Sequence, residues 1–519
     1  MITLTHCACP IGVSAAEVTV EVDVRPNFLK INIVGLPDAA TREAKDRLVP
    51  AITNSGFSLM DDEIIINLSP ADLKKEGALF DFPMAIGILG AKGIIKESQT
   101  LETLFAGEIA LNGALRRIKG ALAIAELAKK NGIKRVFLPK GNGFEASLID
   151  GLEIYEFSNL SECVSFMRGR LELKPLPPVD FDKLSAIKRD SLDFKDVKGQ
   201  SLAKRAIEIA AAGNHNILFY GPPGSGKSML SKRITSILPP LSAEEIIEVT
   251  RVFSCSGKLN SEVGAILDRP FRAPHHTASP IALIGGGSFP RPGEVTLAHR
   301  GVLFLDEFPE FPRMVLEVLR QPLEDRNVTI SRASHQVTFP ADFLLIGAMN
   351  PCPCGWKGDM KKRCDCNPHQ IQQYRSRISG PLLDRIDLQI EVPTVSLRAI
   401  RNLPPSESSE CIKKRVLKTR TIQAKRFDSP LITNSSMSSI EMNLHCTLSD
   451  ETANLLINAV EKLGYSARGH DKILKISRTI ADLDGCKQIG TEHIYEALNY
   501  RQLDKTSRVS IKQAQEMRR

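Results

Sequence analysis

The chain has 519 residues, too many for one hydrophobic core, so two or three folded units are expected and its segments divide into three. With 42% hydrophobic and 25% charged residues it falls in the ordinary globular class, which excludes a disordered, collagen-like or fibrous chain. The formal net charge of +8, spread over this length, permits a polyanionic partner without identifying one.

The first twenty residues, MITLTHCACPIGVSAAEVTV, lack a basic start followed by an unbroken apolar run. No apolar stretch of about 18 residues occurs later, so a cytoplasmic protein with no membrane partner is expected. Residues 1–170 read as mixed α/β: VTVEVDV at 18–24 alternates, EIIINLS at 63–69 is rich in β-branched residues, ALAIAELAKKNG at 121–132 is helical with a stop signal, and RVFLP at 135–139 is the next strand. The proline-rich LELKPLPPVD opens a linker over 171–184. From 185 to 393, short apolar strands alternate with helical patterns: NILFY at 216–220, VLFLD at 302–306 and FLLIGAM at 343–349. Continuous apolar runs of this kind fit a parallel sheet buried on both faces. Beyond Pro393 helical patterns dominate 409–426, 450–463, 471–484 and 491–501, giving a helical unit over 394–507 and a charged tail over 508–519.

GPPGSGKS, comprising Gly221, Pro222, Pro223, Gly224, Ser225, Gly226, Lys227 and Ser228, follows the strand NILFY and precedes the helix-forming MLSKRITSIL. Strand, glycine-rich loop and helix in this order make a phosphate cradle, because loop N–H groups converge on phosphate oxygens and the helix N-terminus adds positive charge. Lys227 is expected to reach the β and γ phosphates of ATP, and Ser228 to bind Mg2+. GVLFLDEF at 301–308 ends a second strand in two acids at the carboxyl edge of the sheet, where ligands of open α/β sheets bind. Asp306 is expected to hold Mg2+ and Glu307 to act as general base toward the attacking water. Asn350, ending the strand FLLIGAM, is placed to orient that water.

Of eleven cysteines, Cys352, Cys354, Cys364 and Cys366 crowd into NPCPCGWKGDMKKRCDCNP as two C-x-C pairs nine residues apart. Four thiolates in so polar a loop suit structural zinc, with bonds of about 2.3 Å, better than two disulfides or free thiols. His369 is a possible substitute ligand, and the single cysteines, Cys7 and Cys9 among them, read as packing residues.

GPPGSGKS, RPFRAPHHTAS, PGEVTLAHRGVLFLDE, NPCPCG and RISGPLLDRIDLQIEV together resemble the bacterial ComM/YifB family of magnesium-chelatase-like AAA+ proteins, nearly end to end. The resemblance implies an α/β chain with three parts: an N-terminal Lon-protease-like, ribosomal-protein-like domain, a parallel-sheet ATPase core and a helical lid. It implies Arg385, in LLDRID, as a finger reaching the nucleotide of the neighbouring subunit, and therefore a closed homo-hexameric ring. It implies Arg468, in YSARGHDKILKISRTIAD, as the second nucleotide sensor, with Arg478 the competing choice. His275 and His276 belong to a family motif and read as satisfied structural histidines.

Residues 70–89 and 105–149 resemble the proteolytic domain of Lon. Overlaying the motifs puts Leu79 where that family's nucleophilic serine stands and Leu122 where its lysine stands, so the fold without the protease chemistry is expected. The family resemblance implies an ATP-driven DNA translocase or helicase that promotes branch migration when incoming DNA is integrated in natural transformation. Its partners would be single-stranded and branched DNA, and recombination proteins. The ATPase subunit of a magnesium chelatase is the alternative, weakened by an N-terminal domain and a cysteine cluster not expected of that subunit. LEDRNVTISRASHQVTFPADF at 323–343 reads as a β-hairpin with Arg326, Arg332 and His335 near its turn, where basic groups could track DNA phosphates.

Overall fold

The computed structural model describes residues 2–60, 62–181, 184, 192–260, 264–287, 290–331, 336–359, 362–394 and 406–501. Arg332, His335 and the tail over 508–519 lie outside these residues. By its contacts the chain forms two compact units. The first comprises 1–187 with 242–267 and 333–339, and the second 188–241 with 268–332 and 340–519.

The first unit is built on a seven-stranded mixed sheet in the order Lys30–Val34, Asp62–Ser69, Ser14–Pro26, Ile2–Ile11, Thr103–Phe105, Arg135–Pro139, Glu153–Phe157. Alternation decides which face is buried. Val20 pairs with Leu68 and Val22 with Ile66, and all four side chains are fully buried in one row. The helix Asp81–Ala91 is apolar all round and every one of its residues is buried, as a core helix requires. Phe82, Phe105 and Phe137 stack edge to face with centroids 5.7 and 5.3 Å apart. The helix Ala243–Ser256 belongs to this unit: Ser254 Oγ donates to the buried Glu145 carboxylate, and Glu145 also accepts from the Leu122 N–H at 2.9 Å. Burial pushes the Glu145 carboxyl above the usual carboxylate range.

The second unit holds a five-stranded parallel sheet in the order Phe271–Arg272, Val302–Leu305, Leu344–Met349, Ile217–Tyr220, Leu388–Glu391. The three strands expected from apolar runs are present, and each is buried along its whole length. Because neighbours are parallel, the residues that follow Tyr220, Leu305 and Met349 all emerge at one edge of the sheet. The C-terminal helices Ser409–Phe427, Asp450–Leu463, Ala467–Leu483 and Thr491–Asn499 share a hydrophobic core with the sheet. The third starts four residues earlier than its periodicity suggests, because the Ser466 hydroxyl accepts from the Gly469 N–H at 3.2 Å and caps it. Arg468 therefore sits in its first turn. No helix among the described residues is long and apolar enough to cross a membrane.

Candidate functional site

Gly221–Ser228 links the strand Ile217–Tyr220 to the helix Lys227–Arg233. Gly221 is required by a close approach, since a Cβ there would lie 2.1 Å from the Val392 carbonyl oxygen. Lys227 is buried, and its ammonium donates to the Gly221 and Pro222 carbonyls at 2.7 and 2.9 Å and to Asn350 Oδ1 at 3.4 Å. Burial pushes the Lys227 ammonium down to about 8, while the Asp306 charge works in the other direction. Ser225 Oγ is buried with no hydrogen-bond partner among the described residues. A buried cation bonded only to neutral oxygens, beside an orphaned hydroxyl, is a site that fits an anion.

Asp306 follows the strand Val302–Leu305, and its Oδ2 accepts from Ser228 Oγ at 2.7 Å. The two residues expected to hold Mg2+ thus already face each other across the loop, and hard oxygen donors of this kind fit that ion. Asp306 Oδ1 accepts from the Glu307 N–H at 3.0 Å. Glu307 has a left-handed backbone (φ 53°), uncommon and strained for a residue with a side chain. Its Oε2 lies 3.2 Å from His276 Nδ1, and the rings of His275 and His276 stack 4.1 Å apart. His276 is thus a neighbour of the expected base, which its sequence motif alone does not reveal.

Arg385 lies at the opposite edge of the sheet. Asn216, which precedes the strand Ile217–Tyr220, donates to the Arg385 carbonyl at 3.2 Å, whereas the loop Gly221–Ser228 leaves the other end of that strand. Arg385 pairs with neither Asp384 nor Asp387. Its Nη2 meets Glu324 Oε1 at 2.5 Å, and Arg468 Nη2 meets the same oxygen at 3.2 Å. The hydrogen bond from Arg385 holds the Glu324 carboxyl below the usual range. Both arginines and Glu324 line a cavity of about 370 Å³. Arg478 is only 2% exposed and directs its nitrogens to Asp482, Lys487 and Cys486 within the helical region, so Arg468 is the arginine left near the surface. Sequence reasoning missed Glu324, because an acid ahead of a hairpin carries no distinguishing pattern.

The hairpin strands are Asn327–Ser331 and Gln336–Pro340. Arg326 is not near their turn. It closes the short helix Arg320–Asp325 in a left-handed conformation, faces Asp342 at 3.6 Å, and lines the same cavity as Arg385 and Arg468.

Cys352, Cys354, Cys364 and Cys366 come together with all four sulfurs within 4.8 Å of one another, a grouping compatible with zinc. Cys352 lies 3.4 Å from Cys354 and 3.6 Å from Cys364, close to the ~3.8 Å edge of a tetrahedral thiolate site. A backbone N–H at Trp356 brings the Cys354 thiol down to about 6, whereas burial pushes Cys352 up to about 12. His369 is exposed and not part of the group. Cys7 and Cys9 are buried in the core of the first unit. Leu79, at the position of the Lon serine, packs against that core from the turn Ala78–Phe80, and Leu122 is fully buried in the first turn of the helix Ala121–Lys130.

Three family models match the chain: "Magnesium chelatase, subunit ChlI" over residues 193–400, "Subunit ChlI of Mg-chelatase" over 20–142, and "Magnesium chelatase, subunit ChlI C-terminal" over 406–501. The second of these lies within the N-terminal domain. The chain is 43% identical to the competence protein ComM of Haemophilus influenzae over 96% of its own length and 97% of that protein's. It is 40% identical to YifB of Escherichia coli over 97% and 98%. Lon protease 2 of Bacillus subtilis is 28% identical over 33% of this chain and 35% of that one.

Proposed function

The chain belongs to the ComM/YifB family of magnesium-chelatase-like AAA+ proteins, and from that membership we propose that it is an ATP-driven ring motor acting on branched DNA. The proposed task is branch migration during integration of incoming DNA in natural transformation. The observation that carries the ATPase part is the convergence of Lys227, Ser228, Asp306 and Asn350 at one sheet edge, with Glu307 beside them. The DNA part rests on end-to-end similarity to a competence protein.

In this reading Lys227 binds the terminal phosphates of ATP, and Ser228 and Asp306 hold Mg2+, which neutralises phosphate charge. Glu307 takes a proton from the attacking water, and Asn350 orients that water. Arg385 is separated from its own phosphate loop by a four-residue strand, ~13 Å at about 3.3 Å per residue. That separation supports a role at the neighbour's nucleotide, where added positive charge stabilises the transition state, and it requires an oligomer. Arg468, held on the same carboxylate, is assigned to the same neighbouring phosphate as sensor. A homo-hexamer closes the ring with every site completed in this way. The DNA contacts at the hairpin turn, Arg332 and His335, lie outside the described residues, and Arg326 belongs instead to the cavity around Glu324.

The chelatase-type reading is kept alive by the family models, and it shares the nucleotide chemistry. The experiment that separates the two is ATP-dependent movement of a synthetic four-way DNA junction, which the DNA motor catalyses and a chelatase ATPase subunit does not.

The cysteine group is assigned to structural zinc, because four thiolates fill a closed tetrahedral site. Purified protein is expected to carry about one zinc per chain, and replacing Cys352 and Cys354 together with serine is expected to release it. Metal analysis of freshly prepared, reduced protein that found no zinc would end this assignment.

A further inference from the structure

We infer that the four-cysteine cluster is part of the nucleotide site's framework: metal held by Cys352, Cys354, Cys364 and Cys366 presses the turn 352–355 against the phosphate loop and Asn350, and so sets nucleotide affinity. The inference rests on the nucleotide reading of Gly221–Ser228.

Asn350 ends the strand Leu344–Met349, and Cys352, fully buried, follows two residues later. The chain then turns back at once, with the Gly355 N–H donating to the Cys352 carbonyl at 3.0 Å. Gly355 has φ +83°, and a Cβ on it would lie 3.0 and 3.1 Å from Pro223 Cγ and Cδ and 3.9 Å from Asn350 Cγ. The positive φ and the close approach to Pro223, in the loop Gly221–Ser228, both favour glycine here, and Asn350 stands two residues before Cys352 in the same chain. Asn350 Oδ1 is in turn 3.4 Å from the Lys227 ammonium. Cluster, sensor and cradle are therefore consecutive contacts within one unit.

The segment between the two C-x-C pairs, GWKGDMKKR, is polar and shows no helix or strand among its described residues. It has no core of its own to hold the turn in place, so the cross-link through the four sulfurs supplies the rigidity. Without metal the turn is free to withdraw from Pro223 and Asn350, and a ligand shell left unsupported loses affinity on the order of tenfold.

Two properties allow a test on the whole chain. Cys354 and Cys366 line an open cavity of about 930 Å³, so a chelator can reach the cluster. Trp356 is the single tryptophan of the chain and directly follows the turn, with the Lys362 ammonium 4.2 Å from its ring centroid, so tryptophan emission reports this loop alone.

The experiment measures binding of fluorescently labelled ADP, in excess Mg2+, to three samples: zinc-loaded parent, parent stripped by a zinc-selective chelator, and zinc-loaded Gly355→Ala. The four thiolates are intact in Gly355→Ala, so it is expected to keep its zinc. Its added methyl group pushes on Pro223, and its affinity for ADP is expected to fall about tenfold, as that of the stripped parent does. Zinc added back should restore the parent. By linkage, saturating ADP should tighten zinc binding, read from Trp356 emission, by the same factor that zinc tightens ADP. Stripped parent that loses the Trp356 signal of the loaded loop yet binds ADP as before overturns the inference, as does failure of zinc to bind. Loaded parent that binds no nucleotide overturns the reading of Gly221–Ser228, and this inference with it.

Discussion

Glu307→Gln is expected to bind ATP and assemble as the parent does while losing turnover by two to four orders of magnitude, about what a positioned general base supplies. The amide keeps the side chain's shape and removes the group that accepts the water's proton. The location of Glu307 is the reason for expecting so large an effect. It follows Asp306, the residue expected to hold Mg2+, with its own N–H bonded to the Asp306 carboxylate at 3.0 Å. Its backbone is held in a left-handed conformation that a residue with a side chain adopts only where the surroundings impose it. Lys227→Ala is expected to fail earlier, at binding, because it removes the buried cation of the cradle. Glu307→Gln protein that hydrolysed ATP at the parent rate would remove Glu307 from the chemistry.

A loss of comparable size is expected from Arg385→Ala, roughly three to five orders in rate if the guanidinium is a finger acting across a subunit boundary. The trans assignment predicts complementation. Arg385→Ala subunits have sound phosphate loops and Lys227→Ala subunits have sound fingers, so each is inactive alone, and a mixed ring contains interfaces where a sound finger faces a sound loop. Hydrolysis should reappear on mixing, with a maximum at intermediate ratios. Rings demonstrated to be mixed and still inactive would contradict the trans role. Glu324 bears on the same experiment, because it meets both Arg385 and Arg468 through one oxygen and so offsets the repulsion between two neighbouring positive charges.

The parallel sheet and the strand–loop–helix turn at Gly221–Ser228 were legible in the sequence for physical reasons. Ile217–Tyr220, Val302–Leu305 and Leu344–Met349 are buried on both faces, and a strand so placed must be apolar without interruption. The loop Gly221–Ser228 needs glycine where the chain passes close by, and Gly221 would collide with Val392 if it carried a side chain. Features that depend on which surface meets which were not legible. The helix Ala243–Ser256 is amphipathic within a stretch that reads as ATPase core, yet it clusters with the first unit through Ser254 and Glu145, and periodicity names a buried face but not its partner. Arg326 was placed near a hairpin turn because the hairpin was read as opening at Leu323. The residues 320–325 instead form a short helix, and Arg326 is spent closing it. His276 and Glu324 each lie next to a residue the motifs did identify: the motif that contains His276 does not say that it faces Glu307, and nothing around Glu324 marks it.

Hydrolysis at this site is proposed to move DNA, and the most direct measurement is the rate of branch migration of a synthetic four-way junction with homologous arms. The parent protein is expected to drive migration with ATP and Mg2+ and none without nucleotide. Glu307→Gln, whose nucleotide is held but not hydrolysed, is expected to bind the junction without moving it. An active ATPase that left the junction unmoved, with hydrolysis indifferent to added DNA, would contradict it.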